Sequence, residues 1–235
     1  MNAKDLLIAL FVPLSWGLGF VAAKSGLDHF PPLLIMSLRF FISSFLLVWF
    51  FPIPKGFLIE IFYIAFVSAS LQYGLTFSGL NILDTSTASL LIQTEVIFGI
   101  LTAAIFLKEM PTKKQIVGIL IACIGTIMLL GTPSIEGKTF GAILVLSGAF
   151  CWALGQVMVR SLNGKVNGFT LICWIGIFSS PQMLIMSFFI DGNPIPFILS
   201  ASFINWFTVF YLGVIMTILG YGAWFYILSK HPMPV

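Results

Sequence analysis

The string SWGLGFVAAKS at residues 15–25 decides how this sequence is interpreted, because a related string recurs later in the chain. CWALGQVMVRS at residues 151–161 aligns with it without gaps and is identical at five of the eleven positions. Both strings carry a tryptophan at the second position and a basic residue at the tenth. Self-similarity at a fixed spacing, here 136 residues, predicts an internal repeat.

The similarity continues beyond these two strings. The serine pair at 43–44 recurs with the same spacing at 179–180, and YGLTF at 73–77 matches YGAWF at 221–225 with a spacing of 148 residues. The change in spacing indicates an insertion of 12 residues in the second copy, near residues 191–196.

The repeat predicts the domain organisation of the chain. The first copy covers residues 1–133, and the second, incomplete copy covers residues 134–235. Counterparts of residues 88–130 are missing from the second copy. We therefore expect this chain to be a C-terminally truncated form of a longer protein, in which residues 229–235 begin a ninth helix.

The composition excludes several classes of protein. Of the 235 residues, 59% are hydrophobic and 8% are charged, and the mean hydropathy is +1.09. Soluble cores do not use so many apolar residues, so side chains must face a lipid bilayer, and the sequence predicts a polytopic membrane protein. A nucleic-acid-binding protein would need a basic surface, and a disordered protein would need high charge. Cys123, Cys151 and Cys173 lie inside apolar runs and are interpreted as packing residues.

Eight apolar segments are predicted to cross the bilayer, each with about 20 residues. Helices are expected, because barrel strands would alternate in hydrophobicity and these segments do not. The predicted spans are residues 6–23, 33–53, 57–80, 85–107, 115–130, 140–159, 169–190 and 202–228.

The basic residues predict the orientation of these spans. With a cytoplasmic N-terminus, eight Lys and Arg residues fall in cytoplasmic loops, and Lys24 and Lys138 fall outside. Because the first copy holds five helices, the second must insert upside down. We predict an all-α membrane bundle of two inverted five-helix repeats, with about eight of ten helices present. Such repeats are typical of alternating-access transporters, which hold substrate near the bilayer midplane.

Two charged residues lie inside predicted spans, where a charge costs about 3 kcal/mol or more unless it faces water or an opposite charge. Glu95 lies near the midplane, and Arg39 lies shallower. We expect these two side chains to satisfy each other or a zwitterionic substrate. The Glu95 carboxylate could hold a substrate amine or take up a proton, or form an ion pair that only fixes packing. Arg39 could bind a substrate carboxylate or serve a structural or gating role.

The other candidate residues are uncharged. Trp16 also lies near the midplane, and the rings of Trp16 and Trp152 could line a cavity and stack on a substrate ammonium, although ordinary packing is the alternative. Four further side chains offer hydrogen bonds to a zwitterion or to neighbouring helices: Gln72, Tyr73, Gln93 and Gln156.

Four stretches together carry a family resemblance: SWGLGFVAAK (15–24), PPLLIMSLRF (31–40), TASLLIQTEVIFGILTAAIFLKE (87–109) and KQIVGILIACIGTIMLL (114–130). With them the chain resembles the EamA family of the drug/metabolite transporter superfamily. Its first forty residues look most like the branch that exports O-acetylserine and cysteine from bacteria. Where the family usually has a proline in its fourth helix, this chain has Val96. The resemblance implies ten helices in two inverted repeats, cytoplasmic termini, and export of amino acids or their derivatives across the inner membrane.

Other functions were weighed against transport. The sequence predicts no catalytic residues, metal ligands or cofactor, because the only histidines, His29 and His231, lie in connecting segments. There is no phosphate-binding GxxxxGK[ST] loop for ATP-driven transport. A membrane channel or a structural membrane protein stays as the alternative, and the sequence leaves the oligomeric state open.

Overall fold

The computed structural model describes residues 3–108, 110–130, 137–162 and 164–230. In these ranges the chain consists of helices joined by short connections and contains no strand. The helices are α1 (Ala3–Gly26), α2 (Pro32–Leu47), α3 (Leu58–Ile82), α4 (Thr85–Leu107), α5 (Lys113–Leu130), α6 (Thr139–Ser161), α7 (Gly168–Ile190), the short α8 (Ile195–Leu199) and α9, which runs through Phe203–Phe210, Tyr211–Leu219 and Gly220–Lys230.

A helix forms at each of the eight predicted spans. Within the described ranges, six helices are long and apolar enough to cross a membrane: α1, α3, α4, α6, α7 and α9. Helix α2 is shorter than predicted, because it ends at Leu47 and not near Ile53. The helix cannot continue to Ile53, because Pro52 and Pro54 lack a backbone N–H and disfavour helical conformation at Phe51 and Ile53. Residues 231–235, where a ninth helix was predicted to continue, lie outside the described ranges.

The distribution of side chains is the reverse of that in a soluble protein. Large apolar side chains point outward, as Leu7 and Leu14 of α1 do with 69% and 63% of their surface exposed. Small polar side chains lie inside, among them Ser43 and Ser179 at about 1% or less. Apolar groups can face lipid at no cost, whereas hydroxyl groups cannot, so this is the arrangement expected of a multi-pass membrane protein.

The helices form two compact units. Unit 1 contains residues 1–55 and 167–235, and unit 2 contains residues 56–166. Each unit therefore contains helices from both predicted copies of the repeat. Helix α4 of unit 2 begins at a side-chain cap, since the Asp84 carboxylate accepts a hydrogen bond of 2.8 Å from the Thr87 N–H. That hydrogen bond lowers the pKa of Asp84 below its ordinary value.

In unit 1, α2 packs on α7 and α1 packs on α9. The α2–α7 contact is made by small residues, because Ser37 Oγ donates to the Ser180 carbonyl at 2.8 Å and Gly176 lies directly against Ser44. In the α1–α9 contact, Gly19 lies against the side chain of Met216. Small residues let helix backbones approach closely, which drives helix association in lipid.

In unit 2, α6 packs along α3 through a series of glycines. A Cβ atom at Gly79 would lie 2.6 Å from the Gly141 carbonyl oxygen, and one at Gly148 would lie 3.0 Å from the Gln72 carbonyl oxygen. Gly155 lies against Ser68, with 2.9 Å between its would-be Cβ and the Ser68 Cα. The two backbones are therefore in direct contact along much of the interface.

Three long helices contain π-helical segments, with hydrogen bonds to the fifth preceding residue. They are Phe66–Leu71 in α3, Ala103–Leu107 in α4 and Tyr211–Leu219 in α9. The segments of α3 and α9 each carry the residue that meets a glycine of the partner helix, since Ser68 meets Gly155 and Met216 meets Gly19. A π-helical segment thus lies at one close contact of each of these two helix pairs.

We expect alanine at Gly155 to destabilise the protein more than alanine at Gly19. At Gly155 the new Cβ would meet the backbone and Cβ of Ser68, which cannot move easily, whereas at Gly19 it would meet the flexible end of Met216. Overpacking of this kind costs about 1–3 kcal/mol. Thermal unfolding in detergent micelles measures the difference. Gly17→Ala is the control, because nothing lies within 4 Å of its would-be Cβ; equal midpoints for the Gly155 and Gly17 variants would contradict the expectation.

Candidate functional site

In unit 1, helix α9 contacts both candidate residues, Trp16 of α1 and Arg39 of α2. The Trp16 ring lies 5.3 Å from the ring of Tyr221 and 6.1 Å from that of Trp224, centroid to centroid. Thr217, which precedes Tyr221 by about one turn, accepts a hydrogen bond from Arg39. Successive turns of one helix therefore hold the aromatic and the cationic side chain.

The Trp16 indole occupies room that a glycine leaves. A Cβ atom at Gly220 would lie 2.7 Å from Trp16 Nε1 and 3.1 Å from Ser15 Oγ. The Nε1 atom is buried, and no hydrogen-bond acceptor for it lies among the residues that the structure describes. A buried N–H without an acceptor is costly and marks a place where a ligand oxygen would be stabilised.

Arg39 is fully buried within unit 1. Its Nε donates to Thr217 Oγ1 at 2.8 Å, and its Nη1 lies 3.7 Å from the sulfur of Met36. The guanidinium carbon is 5.1 Å from the centre of the Phe40 ring, within the range of a cation–π contact. Protein groups thus surround Arg39 in this conformation. This arrangement is compatible both with binding of a substrate carboxylate and with a structural or gating role, the two roles predicted for Arg39.

In unit 2, helix α6 lies between α3 and α4 and contacts both. On α3, Gln72 is buried and its Nε2 donates to Thr76 Oγ1 at 3.4 Å. Its Oε1 is buried, and no donor for it lies among the described residues. The neighbouring Tyr73 is half-buried, with its ring 5.8 Å from that of Phe77. Gln72 Oε1 is therefore a buried acceptor without a donor among the described residues, whereas Trp16 Nε1 is a buried donor without an acceptor.

Helix α4 is interrupted at Gln93. The Gln93 N–H donates to the Leu90 carbonyl at 3.2 Å, and the Val96 N–H donates to the Gln93 carbonyl at 3.2 Å, so one tight turn separates two helical halves. Gln93 is exposed, and Glu95 in the following turn is half-buried. Interrupted helices are where transporters commonly place substrate and ion sites. The interruption thus occurs at two of the predicted site residues.

Helix α6 carries the last two candidates. Trp152 is half-buried, and its ring comes within 4.0 Å of the would-be Cβ of Gly99 on α4. Gln156, one turn further on, is exposed. Six of the predicted residues therefore lie in unit 2 and two in unit 1. Arg39 and Glu95 belong to different units, and their pairing stays a prediction.

Sequence reasoning missed Thr217, Tyr221 and Trp224, the residues of α9 that contact Arg39 and Trp16. Two of them, Tyr221 and Trp224, belong to the string YGAWF at 221–225, which in the sequence indicates the repeat. The similarity of YGAWF to YGLTF, which contains the candidate Tyr73, is the signal that could have identified these two residues.

Metal ligands are absent from the described part of the chain, in which no three His, Cys, Asp or Glu side chains form a group able to hold an ion. Cys151 is a half-buried thiol and Cys173 a buried one, whereas the side chain of Cys123 and the whole of His231 lie outside the described residues.

A multi-pass helical bundle with buried polar groups at helix interruptions is the architecture of a membrane transporter. The comparison with known families agrees. The model of the EamA-like transporter family matches residues 3–131 and 139–234. The chain belongs to this family, as the resemblance of its four quoted stretches predicted.

Similar proteins carry transporter names. The chain is 29% identical to a protein of Salmonella typhimurium and to one of Escherichia coli, each named "Probable amino-acid metabolite efflux pump"; the matches cover 98% of this chain and 80% of each relative. It is 28% identical to an uncharacterized transporter of Archaeoglobus fulgidus, over 97% of this chain and 81% of that one. A solved crystal structure with 17% identity matches 98% of this chain and 80% of that chain, with a TM-score of 0.69, and so shares its fold.

The protein is therefore a membrane transporter with a small-molecule substrate. Members of the family and the named relatives are transporters and not enzymes, so the prediction of a non-enzymatic membrane protein is confirmed.

We expect Gly220→Ala to reduce transport about tenfold or more, because the new Cβ would displace the Trp16 indole from its place beside α9, and small displacements in a site are costly. Gly222→Ala is the matched control on the same helix, since its Cβ would lie at an ordinary 3.4 Å from the Phe169 ring. Efflux of labelled substrate from cells measures both variants. Equal activity of the two variants would show that the position of Trp16 does not matter.

Proposed function

We propose that this transporter exports amino acids or their derivatives, such as O-acetylserine or cysteine, from the cytoplasm across the inner membrane. The observation that carries the proposal is the buried Trp16 Nε1–H of unit 1, for which no acceptor lies among the described residues. The carboxylate of an amino acid needs a donor of this kind, and the aromatic ring faces beside it suit the ammonium group. The names of the efflux-pump relatives support the same class of substrate.

The aromatic cluster of unit 1 supports a substrate with a positive charge. The rings of Tyr221 and Trp224 lie 5.3 Å and 6.1 Å from that of Trp16, centroid to centroid. The faces of such rings attract ammonium groups, with a gain of about 2 kcal/mol when the cation is desolvated. In this role Trp16 provides both a ring face and an N–H donor.

The mechanism we infer is alternating access by two inverted copies, residues 1–133 and 134–235. A recurring contact supports the repeat: Gly19 and Gly155 have the spacing of 136 residues, and the residues they meet, Met216 and Ser68, have the spacing of 148. The π-helical segments that carry these two residues recur with them. The same helix pairing is thus found twice, once in each unit, as two related copies would produce.

The loops support a cytoplasmic N-terminus. Eight of the ten basic residues outside the spans fall on the cytoplasmic side in that orientation. The same orientation places Lys24 and Arg160, which are equivalent in the two copies, on opposite sides of the membrane. Export would then proceed from the side that carries both the N-terminus and Arg160.

Glu95 is the residue we assign to the substrate amine or to a coupling proton. It is half-buried and lies two residues beyond the interruption of α4 at Gln93, the kind of position where transporters commonly place substrate and ion sites. A carboxylate in this position could alternate between a proton and an ammonium group as its partner. A purely structural ion pair is the competing role.

Replacement of Trp16 by phenylalanine tests the proposed site. The variant keeps an aromatic ring but removes the Nε1 donor, so we expect the substrate concentration for half-maximal transport to rise about tenfold. Counterflow in proteoliposomes, with a panel of amino acids and derivatives, provides the measurement. Trp49→Phe is the control, because the Trp49 side chain is 75% exposed. An unchanged half-saturation concentration in the Trp16 variant would contradict the site, and flux that ignores substrate on the far side would indicate a channel.

Replacement of Glu95 by glutamine tests the role of the carboxylate. Glutamine has the same shape and cannot lose a proton, so transport should fall and should no longer respond to external pH. Initial rates at several external pH values, in cells that express equal amounts of protein, measure this effect. Normal transport at every pH would leave Glu95 with a packing role only. Thr94→Val in the same turn is the control, because the Thr94 hydroxyl donates only to the Leu91 carbonyl of its own helix.

A further inference from the structure

The hydrogen bond from Arg39 Nε to Thr217 Oγ1, 2.8 Å long, joins α2 to the π-helical segment of α9. Both side chains are buried, with exposed fractions of 0% for Arg39 and 1% for Thr217. A hydrogen bond to a charged group in such surroundings is strong and directional. Thr217 therefore restricts the orientation of the guanidinium plane.

The π-helical geometry orients the Thr217 hydroxyl for this contact. Thr217 Oγ1 donates its one hydrogen to the Leu212 carbonyl, five residues earlier, at 2.8 Å. A lone pair of the same oxygen then accepts from Arg39. By contrast, Thr208 in the regular first part of α9 donates to the Ile204 carbonyl, four residues earlier, at 3.0 Å.

The same segment also contacts the backbone of Arg39. A Cβ atom at Gly213 would lie 3.0 Å from the Arg39 carbonyl oxygen and 3.2 Å from Ile42 Cβ. The missing side chain of Gly213 thus lets α9 approach α2 at this position. Backbone and side chain of Arg39 are fixed together by residues of one irregular segment.

Neither member of this pair has a polar counterpart in the other predicted copy. The spacing of 136 residues relates Arg39 to Ile175, and the spacing of 148 residues relates Thr217 to Ala69. Each copy therefore has one polar and one apolar residue at these positions, because Arg39 lies in residues 1–133 and Thr217 lies in residues 134–235. The hydrogen bond between Arg39 and Thr217 thus has no polar equivalent under the predicted repeat, so it belongs to what is asymmetric in the transporter.

We propose that Thr217 is the positioning residue for Arg39: it holds Nε so that the plane of the guanidinium keeps one orientation toward the substrate carboxylate during transport. This role rests on the proposed function, to which it adds a residue that does not touch the substrate. The π-helical segment of α9 orients the Thr217 hydroxyl that accepts the hydrogen bond from Arg39.

Thr217→Val removes the hydroxyl and keeps the shape, and Thr217→Ser keeps the hydroxyl. We expect Thr217→Val to raise the half-saturation concentration about tenfold with a smaller change in maximal rate, and Thr217→Ser to transport like the unmodified protein. Thr208→Val is the matched control in the same helix, because its hydroxyl bonds only within α9. Counterflow in proteoliposomes gives both kinetic parameters for each variant.

A second measurement separates positioning from general destabilisation. Arg39→Lys keeps the charge and removes Nε, so Thr217→Val should lower the thermal midpoint in the unmodified protein and have a smaller effect in the Arg39→Lys background. Equal effects in both backgrounds would overturn the pairing. Normal half-saturation for Thr217→Val would overturn the positioning role alone, and lack of transport by the unmodified protein would overturn the proposed function together with it.

Discussion

Direct contact between helix backbones is the constraint on which both units depend. Lipid supplies no hydrophobic force between helices, so they must associate by close packing and by hydrogen bonds. Gly79, Gly148 and Gly155 supply that packing between α3 and α6 in unit 2, and Gly213 of α9 supplies it against the Arg39 backbone of α2 in unit 1. Because these glycines fix how far apart the helices lie, they also fix which polar side chains meet.

Irregular helix turns follow from the same constraint. A π-helical turn or an interruption alters the backbone hydrogen bonds, and in lipid the altered groups must be covered by protein or by a polar cavity. The π-helical segment of α9 is covered by α1 and α2, where Gly19 and Arg39 contact it. The interruption of α4 at Gln93 is of the other kind, since Gln93 is exposed and Glu95 is only half-buried. The first kind of irregularity contacts the buried Arg39, and the second leaves the Gln93 side chain exposed.

Much of the architecture could be predicted from the sequence, because lipid makes strong demands on composition. Long apolar runs must be helices, and a helix lies at each of the eight predicted segments; within the described residues, six of these helices are long and apolar enough to cross a membrane. The end of α2 was placed too late, since the helix ends at Leu47. The site was only partly accessible in this way. Unusual residues inside apolar runs, such as Arg39 and Glu95, are conspicuous, but Thr217 is one threonine among many until the fold places it against Arg39. A partner more than 170 residues away depends on helix packing, which hydropathy does not encode.

Arg39 is a buried charge that the predicted repeat does not duplicate. A charge within the membrane costs about 3 kcal/mol or more, and an apolar pair of similar volume often stabilises a fold better than a buried polar one. The predicted repeat relates Arg39 to Ile175 and Thr217 to Ala69, so an apolar residue stands at each equivalent position. The repeat alone therefore does not account for Arg39 and Thr217. In the function we propose, this asymmetry gives the transporter a cation on one side of its frame, where a substrate carboxylate would bind in one orientation.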